Sequence, residues 1–395
     1  MEDYSYLLGL AIILLSTKLL GLLSRKISLP QVVGALVAGI LIGPACLGIV
    51  RETSFFSTIS EIGVILLMFG AGLETDLHEL KKAGKASFVI ALIGVIVPLL
   101  GGFGLSYAFN IGEELPASKM LQYVFIGVVL TATSVSITVE TLKELGKLST
   151  SAGNAILGAA VIDDILGIIA LTIITSISNP DIKIGIVLLK ILGFFVFSIL
   201  AAVLFHFGFQ KWSAKVVKNL RRHSIICLVF CLLLSYCAET FFGVADITGA
   251  YVAGLAISGC EKAHYVDSRF NTLSYLLLSP VFFASVGLKV QIGNMNSTLI
   301  IFSVLLVLVA ILTKVVGCGL GARFCRFSSR ESLQIGVGMI SRGEVALIVA
   351  DKGKALGLMG DDLFGPVVIM VVVTTVITPI FLKVVFADKK EQKAA

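Results

Sequence analysis

The feature that most constrains this chain is a succession of apolar runs, each about as long as a membrane crossing. A helix needs about 20 apolar residues to cross the hydrocarbon core of a bilayer. Thirteen candidate crossings lie near residues 4–24, 30–50, 57–75, 86–109, 120–142, 151–178, 184–208, 223–243, 246–260, 270–288, 298–322, 333–351 and 362–386. The alternation of apolar and polar residues that marks membrane β-strands is absent from the sequence. The chain is therefore predicted to be an all-α polytopic membrane protein.

The composition limits what else the chain can hold. Hydrophobic residues make up 57% of the 395 residues and charged residues 14%, whereas a typical soluble domain has about 25% charged residues. The apolar runs leave no room for a sizeable soluble domain, so residues 1–395 are expected to form one integral membrane unit. The seven cysteines form no C-x-x-C pair and the four histidines are scattered, so neither a disulfide nor a transition-metal centre is expected.

The distribution of basic residues predicts the orientation in the membrane. With the N-terminus outside, 21 of the 31 Lys and Arg residues lie in cytoplasmic segments, 7 in external segments and 3 within spans. Cytoplasmic loops of membrane proteins carry such an excess. We expect a multi-pass protein of the cell (inner) membrane whose basic tail, residues 388–395, is cytoplasmic. The net charge of +6 then reflects topology and requires no nucleic-acid partner.

Two adjacent carboxylates, Asp163 and Asp164, interrupt the otherwise apolar run 159–169. Even a low estimate gives a cost of about 2.5 to 3.5 kcal/mol for one aspartate at the centre of a membrane helix. Charges kept at such a cost usually belong to an ion or proton path. The pair is therefore the first candidate for an ion-binding and proton-carrying site.

Lys314 is a second charge in the middle of an apolar run, 309–317. A buried ammonium needs a partner of opposite charge, and the two aspartates are the natural candidates. Adjacent residues of a helix point about 100° apart. One aspartate can therefore face Lys314 while the other faces a water-filled cavity.

An internal repeat organises the chain. The Gly-Ala-rich segment 34–43 matches 249–259, and the next spans agree weakly, 69–73 against 283–288. The matched spans are an odd number of crossings apart, so the two copies run in opposite directions, as in many secondary transporters. The prediction is an inverted-topology repeat with halves at 1–180 and 222–387 joined by a linking helix at 183–210. Small residues that let helices pack closely could alone explain the match.

Two spans contain residues that favour interrupted helices. The segment 131–138 reads Thr-Ala-Thr-Ser-Val-Ser-Ile-Thr. The segment 336–344 reads Gly-Val-Gly-Met-Ile-Ser-Arg-Gly-Glu and so combines three glycines with Ser341, Arg342 and Glu344. Hydroxyl and freed carbonyl oxygens suit a hard cation, and glycines permit a break in the helix. The alternative is that the hydroxyls bond neighbouring helices and the glycines allow close packing. Arg342 and Glu344 need polar partners in either case.

Taken together, the Asp-Asp pair, the hydroxyl-rich run, Lys314 and the Ser-Arg-Gly-Glu sequence at 341–344 resemble the monovalent cation:proton antiporter family, specifically its Asp-Asp (NapA-type) sodium/proton antiporters. The resemblance extends over essentially the whole chain. It implies an NhaA-like fold, in which two broken helices cross beside the aspartates, with a dimerisation domain and a mobile six-helix core. It also implies a homodimer.

The resemblance further implies roles for individual residues. Asp164 would be the principal cation and proton ligand, and Asp163 would be the partner of Lys314. Na+ would bind at Asp164, Asp163 and Thr133. The auxiliary residues of the ion site or the crossing would be Thr133, Ser134, Arg342 and Glu344.

The function expected from these residues is secondary active antiport of cytoplasmic Na+ or Li+ against external H+ by alternating access, with no cofactor and no enzymatic step. If Lys314 also releases a proton, transport is electrogenic. The alternatives are a K+/H+ antiporter of the same family and a sodium-coupled solute symporter of similar fold. The absence of a dinucleotide fingerprint disfavours the potassium-efflux relatives. A passive channel, a prenyltransferase and an intramembrane aspartyl protease fit the sequence less well.

Overall fold

Each of the thirteen apolar runs contains at least one helix in the computed structural model, which describes residues 4–26, 29–75, 77–113, 115–178, 184–215, 220–260, 262–290 and 296–387. The α-helices of this part of the chain are α1 Ser5–Lys26, α2 Gln31–Ile42, α3 Ser54–Glu74, α4 Leu77–Phe109, α5 Lys119–Thr131, α6 Val135–Glu144, α7 Ser151–Ser178, α8 Ile184–Lys215, α9 Leu220–Cys237, α10 Asp246–Ser258, α11 Ala263–Leu273, α12 Ser279–Leu288, α13 Ser297–Phe324, α14 Ser329–Gly338, α15 Glu344–Ala355 and α16 Phe364–Phe386. Within these described ranges, ten helical segments, some of them built from two helices in succession, are long and apolar enough to span a membrane, against the thirteen predicted crossings.

Several helices differ in length from the predicted runs. The second ends at Ile42 instead of residue 50, because Pro44 follows and disfavours helical backbone at Gly43. By contrast, α4 begins nine residues before its predicted start at 86, and the linking helix α8 continues to Lys215 instead of ending at 210. These extensions carry basic residues, which leave the apolar window but are compatible with a helix.

The helices form two bundles. Helices α4, α5, α6, α7, α13, α14, α15 and α16 pack mainly against one another, and we refer to them as the core bundle. Helices α1, α2, α3, α8, α9, α10, α11 and α12 form the second group, the panel bundle. The bundles meet where α6 contacts α2 and α3, where α16 contacts α2 and where α7 contacts α8.

Glycines allow backbone contact within the panel bundle. A Cβ on Gly39 of α2 would lie 2.2 Å from a carbonyl oxygen of α12, and Gly287 of α12 packs against Gly39. Likewise, a Cβ on Gly254 of α10 would lie 2.2 Å from a carbonyl oxygen of α3, where Gly72 is its neighbour. Gly39 and Gly254 hold the same position in the matched segments, as do Gly72 and Gly287. The two contacts therefore involve equivalent positions of the predicted halves, whose boundaries stay a prediction.

Candidate functional site

The paired carboxylates lie near the middle of α7, which spans Ser151–Ser178. Asp163 is 2% exposed, whereas Asp164 is only partly buried. On the N-terminal side of the aspartates, the buried face of α7 consists of small and aliphatic residues, including Ile156, Ala159 and Ala160, each at most 1% exposed. The two aspartates thus lie at the C-terminal end of a tightly packed stretch of α7.

Lys314 reaches this point from α13. Its Nζ lies 2.8 Å from Oδ1 of Asp163, and both side chains are almost completely buried, at 0% and 1% exposure. The facing helix α4 has Gly94 at this level, where a Cβ would lie 4.0 Å from the Lys314 Nζ and 2.4 Å from the Cys318 Sγ. The other carboxylate oxygen, Oδ2 of Asp163, has no hydrogen-bond partner among the described residues. The pair is therefore buried but leaves one acceptor open.

A cavity of about 80 Å³ contains both aspartates. Its lining comprises Val128, Thr131, Ala132, Asp163, Asp164, Gly167, Ile168, Leu171, Ala245, Val345 and Val349. Along α7 the cavity extends only from the aspartates towards the C-terminal end of the helix. Because one water occupies about 30 Å³ in the liquid, there is room for a cation with one or two waters.

Beside this cavity, the two interrupted helices cross. The first break separates α5, which ends at Thr131, from α6, and the second separates α14, which ends at Gly338, from α15. The amide of Ser134 donates to the carbonyl of Ser341 (2.7 Å), and Thr138 Oγ1 donates to the carbonyl of Gly338 (2.8 Å). These bonds satisfy some of the backbone groups that the breaks release, as a membrane interior requires.

Arg342 is fully buried and forms hydrogen bonds to three segments at the crossing. Its guanidinium donates to the carbonyl of Leu130, in the last turn of α5, at 2.9 Å and to the carbonyl of Ile340, just after α14. Its own carbonyl accepts a hydrogen bond from Thr375 of α16. The C-terminal end of a helix carries roughly half a negative charge. One guanidinium therefore compensates the C-terminal end of α5 and binds the unwound segment that follows α14.

The other predicted site residues lie in or beside the crossing. Thr133 is buried, and its hydroxyl lies 3.5 Å from the carbonyl of Thr131. Ser134 is buried and its hydroxyl lies 3.4 Å from that of Ser136. Glu344 is the first residue of α15, and its side chain lies outside the described part of the structure. Of the unwound segment after α5, Ala132 rather than Thr133 lines the cavity with the aspartates.

Two residues of the cavity wall, Thr131 and Gly167, were not predicted as site residues, although Thr131 begins the hydroxyl-rich segment 131–138. Thr131 is the last residue of α5, and Gly167 follows Asp163 by four residues on α7. Residues i and i+4 share one helix face, so the spacing of Gly167 could have placed it beside the aspartate. A Cβ at Gly167 would meet no atom within 4 Å, which shows that this position opens onto free space.

Comparison with known proteins gives consistent matches over the whole chain. Residues 11–387 match the family model described as sodium/hydrogen exchanger, transmembrane. The chain is 41% identical to the Na(+)/H(+)-K(+) antiporter GerN of Bacillus cereus over 399 residues, covering 100% of both chains. It is 40% identical to a Na(+)/H(+) antiporter of Enterococcus hirae, covering 95% of this chain and 96% of the relative.

A solved structure supports the fold independently of close sequence similarity. The sodium proton antiporter MjNhaP1 of Methanocaldococcus jannaschii at pH 8 matches with a TM-score of 0.71 and 19% sequence identity, covering 97% of each chain. At that identity the match concerns the fold, and it confirms the predicted all-α antiporter architecture.

Proposed function

The chain belongs to the sodium/hydrogen exchanger family and is a multi-pass membrane antiporter of cations and protons, and from this premise we propose that it exports cytoplasmic Na+ in exchange for external H+. The Na+/H+ antiporters among its relatives support this choice of cation. The observation that carries the proposal is the cavity in which Asp164 stands beside the buried pair of Asp163 and Lys314.

The exchange follows from competition for one carboxylate. Removal of water disfavours the charged form of an aspartate, while a nearby cation favours it. Asp164 can therefore be neutralised by a proton or compensated by Na+, but gains little from both together. Asp163, Thr131 at the end of α5 and the oxygens of the segment that follows, including those of Thr133, would complete the Na+ site. Binding of Na+ then releases the proton, which couples the two fluxes.

Lys314 accounts for the charge moved in each cycle. When Na+ attracts Asp163, the ammonium loses the partner 2.8 Å away. An unpaired buried charge is costly, so Lys314 releases a proton to the cavity. Two protons then enter for each Na+ expelled. One net charge gains about 2.3 kcal/mol from a potential of 100 mV, which makes the exchange electrogenic and driven by the membrane potential.

Alternating access requires the cavity to open to one side at a time. With the N-terminus outside, the C-terminal end of α7 is external, so the cavity extends outwards. On the N-terminal side of the aspartates α7 is buried, with Ile156, Ala159 and Ala160 each at most 1% exposed. On this orientation we interpret the arrangement as outward-facing, and the core bundle would move against the panel bundle to expose the site inside. A homodimer held by the panel bundles is part of the proposal, because the family resemblance implies it.

Proton flux in proteoliposomes tests this function. The protein is reconstituted with a pH-sensitive dye inside, and Na+, Li+ and K+ are added in turn, with and without a membrane potential. We expect Na+-dependent proton flux that a potential accelerates and that Asp164→Asn abolishes. Asp361→Asn is the control, because Asp361 lies outside the cavity and pairs with Lys354 (2.8 Å). Normal exchange by the Asp164→Asn protein would rule out the assignment.

K+/H+ antiport is the second candidate. It is favoured by the 41% identity to a relative named as a Na(+)/H(+)-K(+) antiporter. Both cations need the same carboxylates, so substitution of Asp164 does not separate the candidates. The K+ addition does: proton flux with K+ and none with Na+ would replace the first candidate by the second.

A further inference from the structure

The inner ends of the two bundles are joined by charged contacts that the ion site does not use. Lys143, at the end of α6 in the core bundle, lies 2.7 Å from Glu74, the last residue of α3 in the panel bundle. One turn earlier on α3, a Cβ on Gly70 would lie 3.8 Å from the Lys143 Nζ and 3.9 Å from Oδ1 of Asp267 on α11. Lys143 therefore passes α3 at a glycine and pairs with Glu74, on the side of α3 where Asp267 also lies.

A second contact lies beside the first. The side chain of Glu144 accepts a hydrogen bond of 2.7 Å from the amide of Gln31, the first residue of α2. The N-cap of α2 is Pro30, which provides no side-chain bond to the helix. A carboxylate at a helix N-terminus is stabilised by the positive end of the helix dipole. A residue of the core bundle thus supplies the cap that a panel helix lacks.

Two cavities lie beside these contacts. Between α3, α6 and α11 there remains a cavity of about 10 Å³, bordered by Gly70, Glu140, Lys143 and Asp267. This volume holds at most one water. A larger cavity of about 280 Å³ lies on the other side of Glu140 and is bordered also by Glu144 and Gln31. Acidic residues that could bind a cation on its way inwards therefore border both cavities, and α6 lies between the two cavities.

No other ion pair among the described residues joins the two bundles. Lys289 and Glu52 (3.5 Å) both belong to the panel side, and Lys354 and Asp361 (2.8 Å) both belong to the core side. The buried pair of the ion site also lies within the core bundle. The pair of Lys143 and Glu74 is thus in a position to respond when one bundle moves against the other.

We infer that the contacts of Lys143 with Glu74 and of Glu144 with the start of α2 form a latch that holds the exchanger in the outward-facing arrangement. The inference depends on the proposed function, since it assumes that the core bundle moves to expose Asp164 inside. Movement of α6 away from α2 and α3 breaks both contacts at once. The latch is formed when the inner route is closed, so its removal favours the inward-facing arrangement.

The first test measures transport from each side of the membrane. The half-saturating Na+ concentration is determined on the cytoplasmic side in everted vesicles and on the external side in right-side-out vesicles. The ratio of the two values reports the equilibrium between arrangements, because apparent affinity scales with the fraction of protein in the competent state. Glu74→Gln and Lys143→Gln should each lower the cytoplasmic-to-external ratio by about twofold to fivefold, the effect of a partly exposed ion pair.

Two matched variants serve as controls. Glu52→Gln and Lys354→Gln each remove an ion pair that lies within one bundle, and they should leave the ratio unchanged. The double variant of Glu74 and Lys143 should resemble the single variants, because residues of one pair are not additive. An unchanged ratio in Glu74→Gln, with normal exchange by the wild type, would overturn the latch. Absence of exchange in the wild type would instead contradict the proposed function.

A cross-link tests the movement directly. Cysteines replace Glu74 and Lys143 in a background from which the seven native cysteines have been removed and which still exchanges cations. A short reducible bifunctional thiol reagent should stop exchange when it joins the two positions, and reduction should restore it. Cysteines replacing Glu52 and Lys289 provide the control within the panel bundle. Full exchange by the cross-linked Glu74 and Lys143 variant would show that these residues do not separate during transport.

Discussion

At the scale of single residues, the two neighbouring aspartates of α7 occupy different surroundings. Asp163 is paired with Lys314 in the protein interior, whereas Asp164 is partly exposed to the cavity. The difference follows from the helix itself, because adjacent residues point about 100° apart. The same geometry places one carboxylate in an ion pair and the other beside the cavity in which we propose that a proton is exchanged for a cation.

Substitution of Lys314 should be strongly destabilising. Lys314→Ala leaves the carboxylate of Asp163 buried without a partner, a change that typically costs about 3 to 5 kcal/mol. The free energy of unfolding in detergent, followed by denaturant titration, measures the loss. Lys289→Ala is the matched control, because its pair with Glu52 is about a quarter exposed and contributes at most about 1 kcal/mol. Equal losses in the two variants would contradict the buried pair.

Glu113, in the loop before α5, should make stability depend on pH. Burial raises the pKa of this carboxyl above its usual 4.5, and the charges of Asp362 and Asp361 raise it further. The folded protein therefore holds this proton to higher pH than the unfolded chain. The resulting stability is present below about pH 4.5 and is lost as the pH rises through the folded pKa. In Glu113→Gln the fall of the unfolding midpoint over this range should be smaller.

Asp361→Asn provides the comparison for that measurement. It removes one of the two neighbouring charges but keeps the Glu113 carboxyl, so the slope of the midpoint against pH should be intermediate. Identical slopes in the wild type and Glu113→Gln would exclude the effect.

The site residues differed in how far the sequence could identify them. Asp163, Asp164 and Lys314 were identifiable because a charge in an apolar run is costly wherever the run lies in the membrane. The residues of the cavity wall were not identifiable in this way. Whether Thr131, Ala132 or Thr133 faces the aspartates depends on where α5 ends, which is decided by its contacts with the crossing helix and not by the local sequence.

At the scale of helices, the apolar runs predicted the elements and polar residues decided their ends. The hydroxyl-rich segment 131–138 and the glycines after 336 indicated the two breaks, which occur at 132–134 and 339–343. Extensions such as the start of α4 at Leu77 were missed, because their charged residues lie outside the apolar window. The crossing itself depends on contacts between residues about 200 positions apart, such as Thr138 with Gly338.

A methyl group at a glycine contact should have opposite effects in two helices. Gly254→Ala in α10 would place its Cβ 2.2 Å from a carbonyl oxygen of α3, so the helices must separate and stability should fall by about 1 to 3 kcal/mol. Gly104→Ala in α4 meets no atom within 4 Å and should be neutral or stabilising by up to about 1 kcal/mol. Unfolding midpoints in detergent are measured for both variants. A loss of stability in Gly254→Ala no larger than that in Gly104→Ala would contradict the close contact.

At the scale of the whole molecule, the apolar runs predicted where the helices lie, whereas hydropathy did not predict how they group. The orientation of the chain stays a prediction from the excess of basic residues in alternate loops. The division into core and panel bundles depends on which helix faces meet. Faces buried against protein and faces exposed to lipid are both apolar, so hydrophobicity alone does not separate them.

The orientation has a direct test. A protease site appended after residue 395 should be cleaved from the cytoplasmic side only, that is, in everted vesicles and not in right-side-out vesicles. A site inserted in the loop 43–53 between α2 and α3 should show the opposite pattern. Cleavage of both sites from the same side would invalidate the assignment of outside and inside, and with it the outward-facing interpretation of the cavity.

The unpartnered oxygen of Asp163 links the folding of this protein to its affinity for ions. Oδ2 is buried and no described residue donates a hydrogen bond to it, so the folded chain is less stable than it would be with a protein donor at that oxygen. A cation entering the cavity can satisfy it and so stabilise the fold as it binds. A mutation that gave Oδ2 a permanent donor would produce a more heat-resistant protein and a weaker transporter. Selection for thermal stability alone should therefore recover variants with impaired ion binding at this position.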